Sequence, residues 1–226
     1  MMKKILIVSF LCLPMHVYTQ GWSFEYSLGY GTYKLDDVKA MQDMMLKFNG
    51  FGLKETDRFP GYITHSIALG YSTGYHHFGS NISYLTTGGR LHRADYSGSY
   101  LVNTIINGYR LGTFYRYYIN TESASFRIHF QISSGVLFSN LKMKEKVHIF
   151  YHSAEESNTL KSTGMYMEPT IGVTYHFLDW LYFSLGGGYE VDFSGTLKFS
   201  GQETQMKAHW NGLRLYGSLL LILPTK

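Results

Sequence analysis

His152 and Ser153, followed by Glu155 and Glu156, bring together the side-chain types used in acyl transfer. These are a hydroxyl nucleophile, an imidazole to take its proton and a carboxylate to orient the imidazole. They fall in a stretch rich in Lys, Glu, Ser and Asn, and a polar loop accounts for that composition more simply. His76 and His77 offer ligand nitrogens, but adjacent strand residues point to opposite faces and chelate poorly. His65 and His129 lie in alternating segments and read as members of hydrogen-bond networks. Gly186-Gly187-Gly188 does not open a helix after a strand, so it fails the context of a phosphate loop and reads as relief of crowding. On these grounds the expectation is no catalytic residue, no cofactor and no metal.

A sharper pattern belongs to eight ionic residues, Glu25, Arg110, Arg116, Arg127, Glu168, Glu190, Asp192 and Arg214, and it appears only against the elements that carry them. From Met165 to Phe193 the odd positions include Met167, Ile171, Val173, Tyr175, Phe177, Leu181, Phe183, Leu185, Tyr189 and Val191. The even positions include Glu168, Thr170, Gly172, Thr174, Ser184, Gly186, Glu190 and Asp192. Two period-two strands joined by a tight turn have this alternation. Pro169 removes a ladder donor from the first, so a bulge or a local irregularity is expected there.

The same alternation places strands at about 22–33, 62–72, 77–87, 103–118, 125–139, 165–177, 181–193 and 210–223. Connections alternate long and short. The long ones are 34–60, 88–102, 140–163 and 195–208, and Asp36 can cap a short helix in the first, with Val38, Met41, Met45 and Phe48 at helical spacing. The expected fold is therefore all-β, an eight-stranded antiparallel up-and-down transmembrane β-barrel with long outer loops, short periplasmic turns and one short helix in the first loop.

Charge type decides which face is inside. All 13 lysines lie in the first residues, the expected loops or strand ends, whereas a soluble barrel would place lysines along its outer strand faces. The eight ionic residues all share the parity opposite the apolar positions, amid Gly, Ser and Thr. A narrow eight-stranded lumen has room for such side chains, and buried arginines require paired carboxylates. Trp22, Phe24, Tyr71, Tyr115, Tyr117, Phe126, Phe177, Trp180, Tyr189 and Phe193 lie near strand ends and read as aromatic girdles at the two membrane interfaces.

The chain of 226 residues opens with Lys3 and Lys4, an apolar run from Ile5 to Leu13 and a polar stretch. That is the layout of a cleaved signal peptide over 1–20, leaving 21–226 as one barrel domain in the outer membrane. Cys12 is the single cysteine, so thiol and disulfide chemistry drop out of the mature chain. Without Lys3 and Lys4 there are 18 basic and 16 acidic residues, too even a balance for a nucleic-acid partner.

From about Gly21 to Leu223 this pattern resembles the eight-stranded bacterial outer-membrane β-barrel class, including OmpA-like, OmpX-like and OmpW-like proteins and the outer membrane protein beta-barrel domain families. The C-terminal residues Leu221 to Lys226 lack the terminal aromatic residue common in that class. The resemblance implies a structural or interaction role in a Gram-negative envelope, with outer-membrane lipids as partners and an envelope protein engaged through the loops. It implies as an alternative a narrow channel or carrier for small or hydrophobic solutes. A lipid A-modifying barrel enzyme is the further alternative, although the His-x-Ser spacing of the deacylases is missing from the chain.

Overall fold

The computed structural model describes residues 20–48, 52–96, 98–119, 125–149, 152–193 and 195–224, so the expected signal peptide over 1–20, but for Gln20, lies outside the described residues. The elements in chain order are β1 (Gly21–Gly31), α1 (Asp36–Phe48), β2 (Lys54–Arg58), β3 (Tyr62–Thr73), β4 (His76–Asp95), β5 (Gly98–Tyr118), β6 (Phe126–Ile149), β7 (His152–Leu178), β8 (Leu181–Phe193), β9 (Thr196–Phe199), β10 (Gln202–Lys207) and β11 (Gly212–Pro224).

Eight of these strands, β1, β3, β4, β5, β6, β7, β8 and β11, pair antiparallel in a closed ring. Partner by partner, Gly21 leads through Ser72, His77, Arg116, Gln131, Thr170, Gly188 and Arg214 to Gly31, a stagger of ten residues. With ~3.3 Å per residue and ~4.8 Å between strands, this stagger sets a tilt of about 40°. Period-two sequence makes the ring two-faced: in β1, Trp22, Phe24, Tyr26, Leu28 and Tyr30 are exposed outward while Ser23 and Glu25 are buried.

Four expected loops prove to be structured. Residues 88–95 and 98–102, and likewise 140–149 and 152–163, belong to the outer parts of two tall strand pairs, β4/β5 and β6/β7, whose pairing runs unbroken from Thr87↔Ile106 to Asp95↔Gly98 and from Asn140↔Lys161 to Ile149↔His152. Residues 195–208 form the β9/β10 hairpin, and 34–60 hold α1 and β2, which pairs with β4. Composition misleads here because the outward positions turn charged. The inward positions Leu91, Val102, Leu141 and Leu160 keep the period of two and stay buried. The lysines at 142, 144, 146, 161, 198 and 207 accordingly sit on strands.

Beyond the ring, β10, β9, β7, β6, β5, β4 and β2 form a wall, and α1 spans its two edges. Arg58 of β2 donates to Asp43 (2.7 Å), the buried Gln42 amide donates to Asp57 O (2.9 Å), and Lys207 N of β10 donates to Asp37 Oδ2 (2.8 Å). Under the helix lies an apolar core of Tyr33, Leu35, Val38, Phe59, Leu85, Ile106, Leu137, Leu141, Leu160, Tyr166, Leu197, Ala208 and Trp210, with Met41 packed against it. Leu35 and Phe59 both adopt φ of 45°, an unusual conformation for bulky residues, and both are buried here. Met45 packs in a neighbouring apolar cluster, but Phe48 is 84% exposed and leaves the stripe assigned to it.

At Pro169 the irregularity is a gap in the ladder and not a bulge. Pairing with β8 skips Glu168 and Pro169 and resumes in the same register, from Met167↔Val191 to Thr170↔Gly188, while Pro169 still faces Ile132 on β6. The missing N–H removes ladder bonds without inserting a residue.

Candidate functional site: the barrel interior

Strand parity aims all eight ionic side chains inward, where each is buried. Six of them form two clusters at different heights. Near the short turns, Arg116 Nη2 donates to both carboxylate oxygens of Glu25 (3.0 and 2.9 Å), and its Nε donates to Gln131 Oε1 (2.8 Å). Ser218 Oγ donates to Glu25 as well (2.5 Å). Further outward, Arg110 Nη1 donates to Glu168 and to Glu190 Oε2 (2.7 Å). Arg214 reaches the same Glu190 oxygen through Nη2 (2.6 Å) and Nε (3.2 Å). Three arginines thus meet three glutamates, and this balance offsets the desolvation that unpaired buried ions would suffer.

The remaining two ionic residues sit at the ends of this column. Arg127 places its guanidinium 3.9 Å from the centre of the Tyr118 ring and donates to Gly74 O (3.3 Å); among the described residues it makes no ion pair. Asp192 accepts from Trp210 N (2.9 Å) at the outer end. Between the clusters is a cavity of about 60 Å³, lined by Ser27, Ser66, Asn81, Gln131, Ser133 and Tyr216 among others. That volume suits on the order of a few waters.

Aromatic residues complete the interior around these ions. Tyr166 and Tyr33 lie under the guanidinium groups of Arg110 and Arg214, each 4.8 Å from the ring centre. Burial pushes the Tyr33 hydroxyl, which lies beyond the end of β1, up to about 12. Trp210, expected to begin the last strand, instead precedes β11 and is fully buried, with Nε1 donating to Ser139 Oγ (2.9 Å). Parity places Tyr166 with Glu168 on the inward face, and Trp210 shares the parity of Arg214 although it precedes β11. Gly186 and Gly188 face inward, where a Cβ would meet Tyr216 Oη at 2.5 Å and Pro169 O at 2.4 Å. The bareness of Gly186 leaves room for the Tyr216 ring, and that of Gly188 lets β7 approach closely at Pro169 and Thr170.

Nucleophile-bearing contacts separate into two places. His152 and Ser153 are exposed at the start of β7, facing Ile149 and His148 on β6, and Glu155 bonds Lys146 (2.9 Å) instead of a histidine. Inside the ring, Ser23 Oγ lies 2.7 Å from His77 Nε2, a pair that sequence spacing could not reveal. His77 Nδ1 has no hydrogen-bond partner among the described residues, so no carboxylate orients this imidazole. His76 turns outward to Tyr115 Oη (2.7 Å), His65 outward to Tyr26 Oη (2.9 Å), and His129 inward to Thr174 Oγ1 (3.1 Å).

Outside, the ring presents an apolar belt. Trp22, Phe24, Tyr71, Tyr115, Tyr117, Phe126 and Phe177 face outward toward the short-turn end, and Trp180, half exposed, lies in the turn between β7 and β8. Tyr189 and Phe193 face outward toward the other end, on β8. Tyr109, Phe138 and Met165, exposed at 49, 46 and 63%, continue the belt's upper edge on β5, β6 and β7.

No family model and no curated protein matches this sequence. Solved structures of similar shape include Neisserial surface protein A, at 10% identity and TM-score 0.40 over 92% of this chain and 99% of that one. Ail, the attachment invasion locus protein of Yersinia pestis, aligns at 11% identity and TM-score 0.37 over 89 and 96%. The N-terminal β-barrel domain of Pseudomonas aeruginosa OprF aligns at 10% identity and TM-score 0.36 over 89 and 97%.

Proposed function

We propose that the chain is an outer-membrane barrel with an occluded lumen, serving a structural or interaction role in the envelope through its outer elements. The observation carrying this reading is the polarity of the ring: apolar side chains face outward around it while arginine–glutamate clusters occupy the interior. A water-soluble barrel would be the other way round, with its apolar residues inside. The aromatic residues at the belt's edges then act as interfacial anchors.

Occlusion follows from three stacked fillings. Tyr182, Leu220 and Ile222 cluster near the short turns, the two ionic clusters occupy the middle, and the core beneath α1 fills the outer end. Reconstitution into planar bilayers tests this reading. The expected result is no steady conductance, with protease protection of the ring strands showing insertion. Steady ohmic conductance from inserted protein would overturn the occluded lumen in favour of a conduit. The Ser23–His77 contact serves as packing in this reading, since both residues are buried and a substrate would have to displace the fillings on either side.

A further inference from the structure

We infer that the outward face of β6, β7 and β9, just above the apolar belt, binds the phosphate of a lipid headgroup in the membrane's outer leaflet. The inference rests on the membrane reading above. Lys161 of β7 and Lys198 of β9 are direct cross-strand partners, and Lys142 of β6 is diagonal to Lys161, which faces Asn140. Like charges on paired strands destabilise the pairing unless a counter-charge sits among them. Neighbouring lysines have one: Lys146 and Lys144 share Glu155 (2.9 and 3.9 Å), and Lys198 leans on Glu203 (2.9 Å). Lys142 and Lys161, both exposed, make no ion pair among the described residues; Glu155, held by Lys144 and Lys146, reaches Lys142 only at longer range.

These two lysines are also the ones nearest the membrane on their strands. Lys142 is four residues beyond Phe138, and Lys161 is four residues beyond Met165, both at the belt's upper edge. At ~3.3 Å per residue and a tilt of about 40°, that is roughly 10 Å. Headgroups extend about 5 to 8 Å past the hydrocarbon edge, and a lysine's flexible stem lets its ammonium bend down to meet them. Lysines on adjoining strands at that level match a phosphate in charge and depth. A soluble polyanion would have to lie on the membrane surface to reach it, so the site favours an anionic headgroup whose acyl chains rest on the belt below.

The test measures how much bisphosphorylated lipid A stays with the full-length mature protein through gentle detergent exchange, by native mass spectrometry. Monophosphorylated lipid A and inorganic phosphate serve as competitors, and vesicle insertion is scored in parallel by protease protection. K142Q/K161Q should bind the lipid roughly twenty-five-fold more weakly, about fivefold per lysine near an anionic surface. K144Q/K146Q, farther out and shared with Glu155, should retain it. Equal retention by K142Q/K161Q, an equal loss in K144Q/K146Q, or displacement by inorganic phosphate as effective as by lipid would overturn the site. Wild-type protein that fails to insert would overturn the membrane reading itself, a different result from inserted protein that keeps its lipid without the two lysines.

Discussion

Along β6 the inward residues near the short turns are Arg127, His129, Gln131 and Ser133, and farther out they become Leu137 and Leu141. The outward residues make the reverse change, from Phe126, Ile128, Phe130 and Ile132 to Lys142, Lys144 and Lys146. One strand with a single parity thus passes through two regions of opposite polarity. In the ring, polar groups are inside and apolar groups outside; in the outer wall under α1 the order is that of a soluble protein. The difference shows that the strand's geometry is indifferent to which face is apolar, and that the medium outside selects the residues at each height.

The largest blow to this contrast should come from Glu190→Ala. Glu190 is fully buried and holds both Arg110 and Arg214, so its loss leaves buried guanidinium charge undercompensated and should cost about 3 to 5 kcal/mol in denaturant unfolding from vesicles. A cost below about 1 kcal/mol would show that the inner cluster is hydrated and the lumen open.

Next in size is a paired test on β7. Ile171→Arg, on the belt, should cost roughly 2 to 4 kcal/mol, whereas Ser157→Arg, fourteen residues farther out at the same parity and exposed, should stay within about 0.5 kcal/mol. Equal costs would erase the boundary between the regions. Gln42→Ala removes the amide that ties α1 to Asp57 O and should loosen the helix by about 1 kcal/mol, seen as faster hydrogen exchange in α1 with the ring unchanged.

The smallest effect is a pH dependence confined to the tall β6/β7 hairpin. The hydrogen bond from Lys146 holds the Glu155 carboxyl below its ordinary value. A depressed carboxylate contributes stability above its unfolded-state pKa and loses it as pH falls through the folded value, so exchange at the hairpin should rise on acidification. Lys146→Gln should abolish that rise.

Much of the architecture was legible because alternation is local. Eight strands, the inward parity of Arg110 or Glu168, and a helix starting at Asp36 all follow from residue spacing. The cap was not legible, because its core joins Leu35, Phe59, Leu160, Leu197 and Trp210, residues from five separate segments with no shared period. The tall hairpins were hidden for another reason: strands wetted on their outer face carry the composition of loops, and only the ladder from Asn140↔Lys161 outward distinguishes them. His77 was read as part of a doubtful metal pair, and its nearness to Ser23 depends on a ring register that no window of sequence contains.

Residue order by itself settled the alternation, the charge parity and the number of ring strands, since each depends on neighbours within a few positions. Tertiary structure alone decided the stagger of ten, and with it which arginine meets which glutamate. Shifting the pairing of one strand by two residues would preserve every inward-facing side chain yet separate Arg116 from Glu25. It also decided that the outer connections build a second, oppositely polarised region, because the burial of Trp210 and Leu35 exists only once α1 spans β2 and β10.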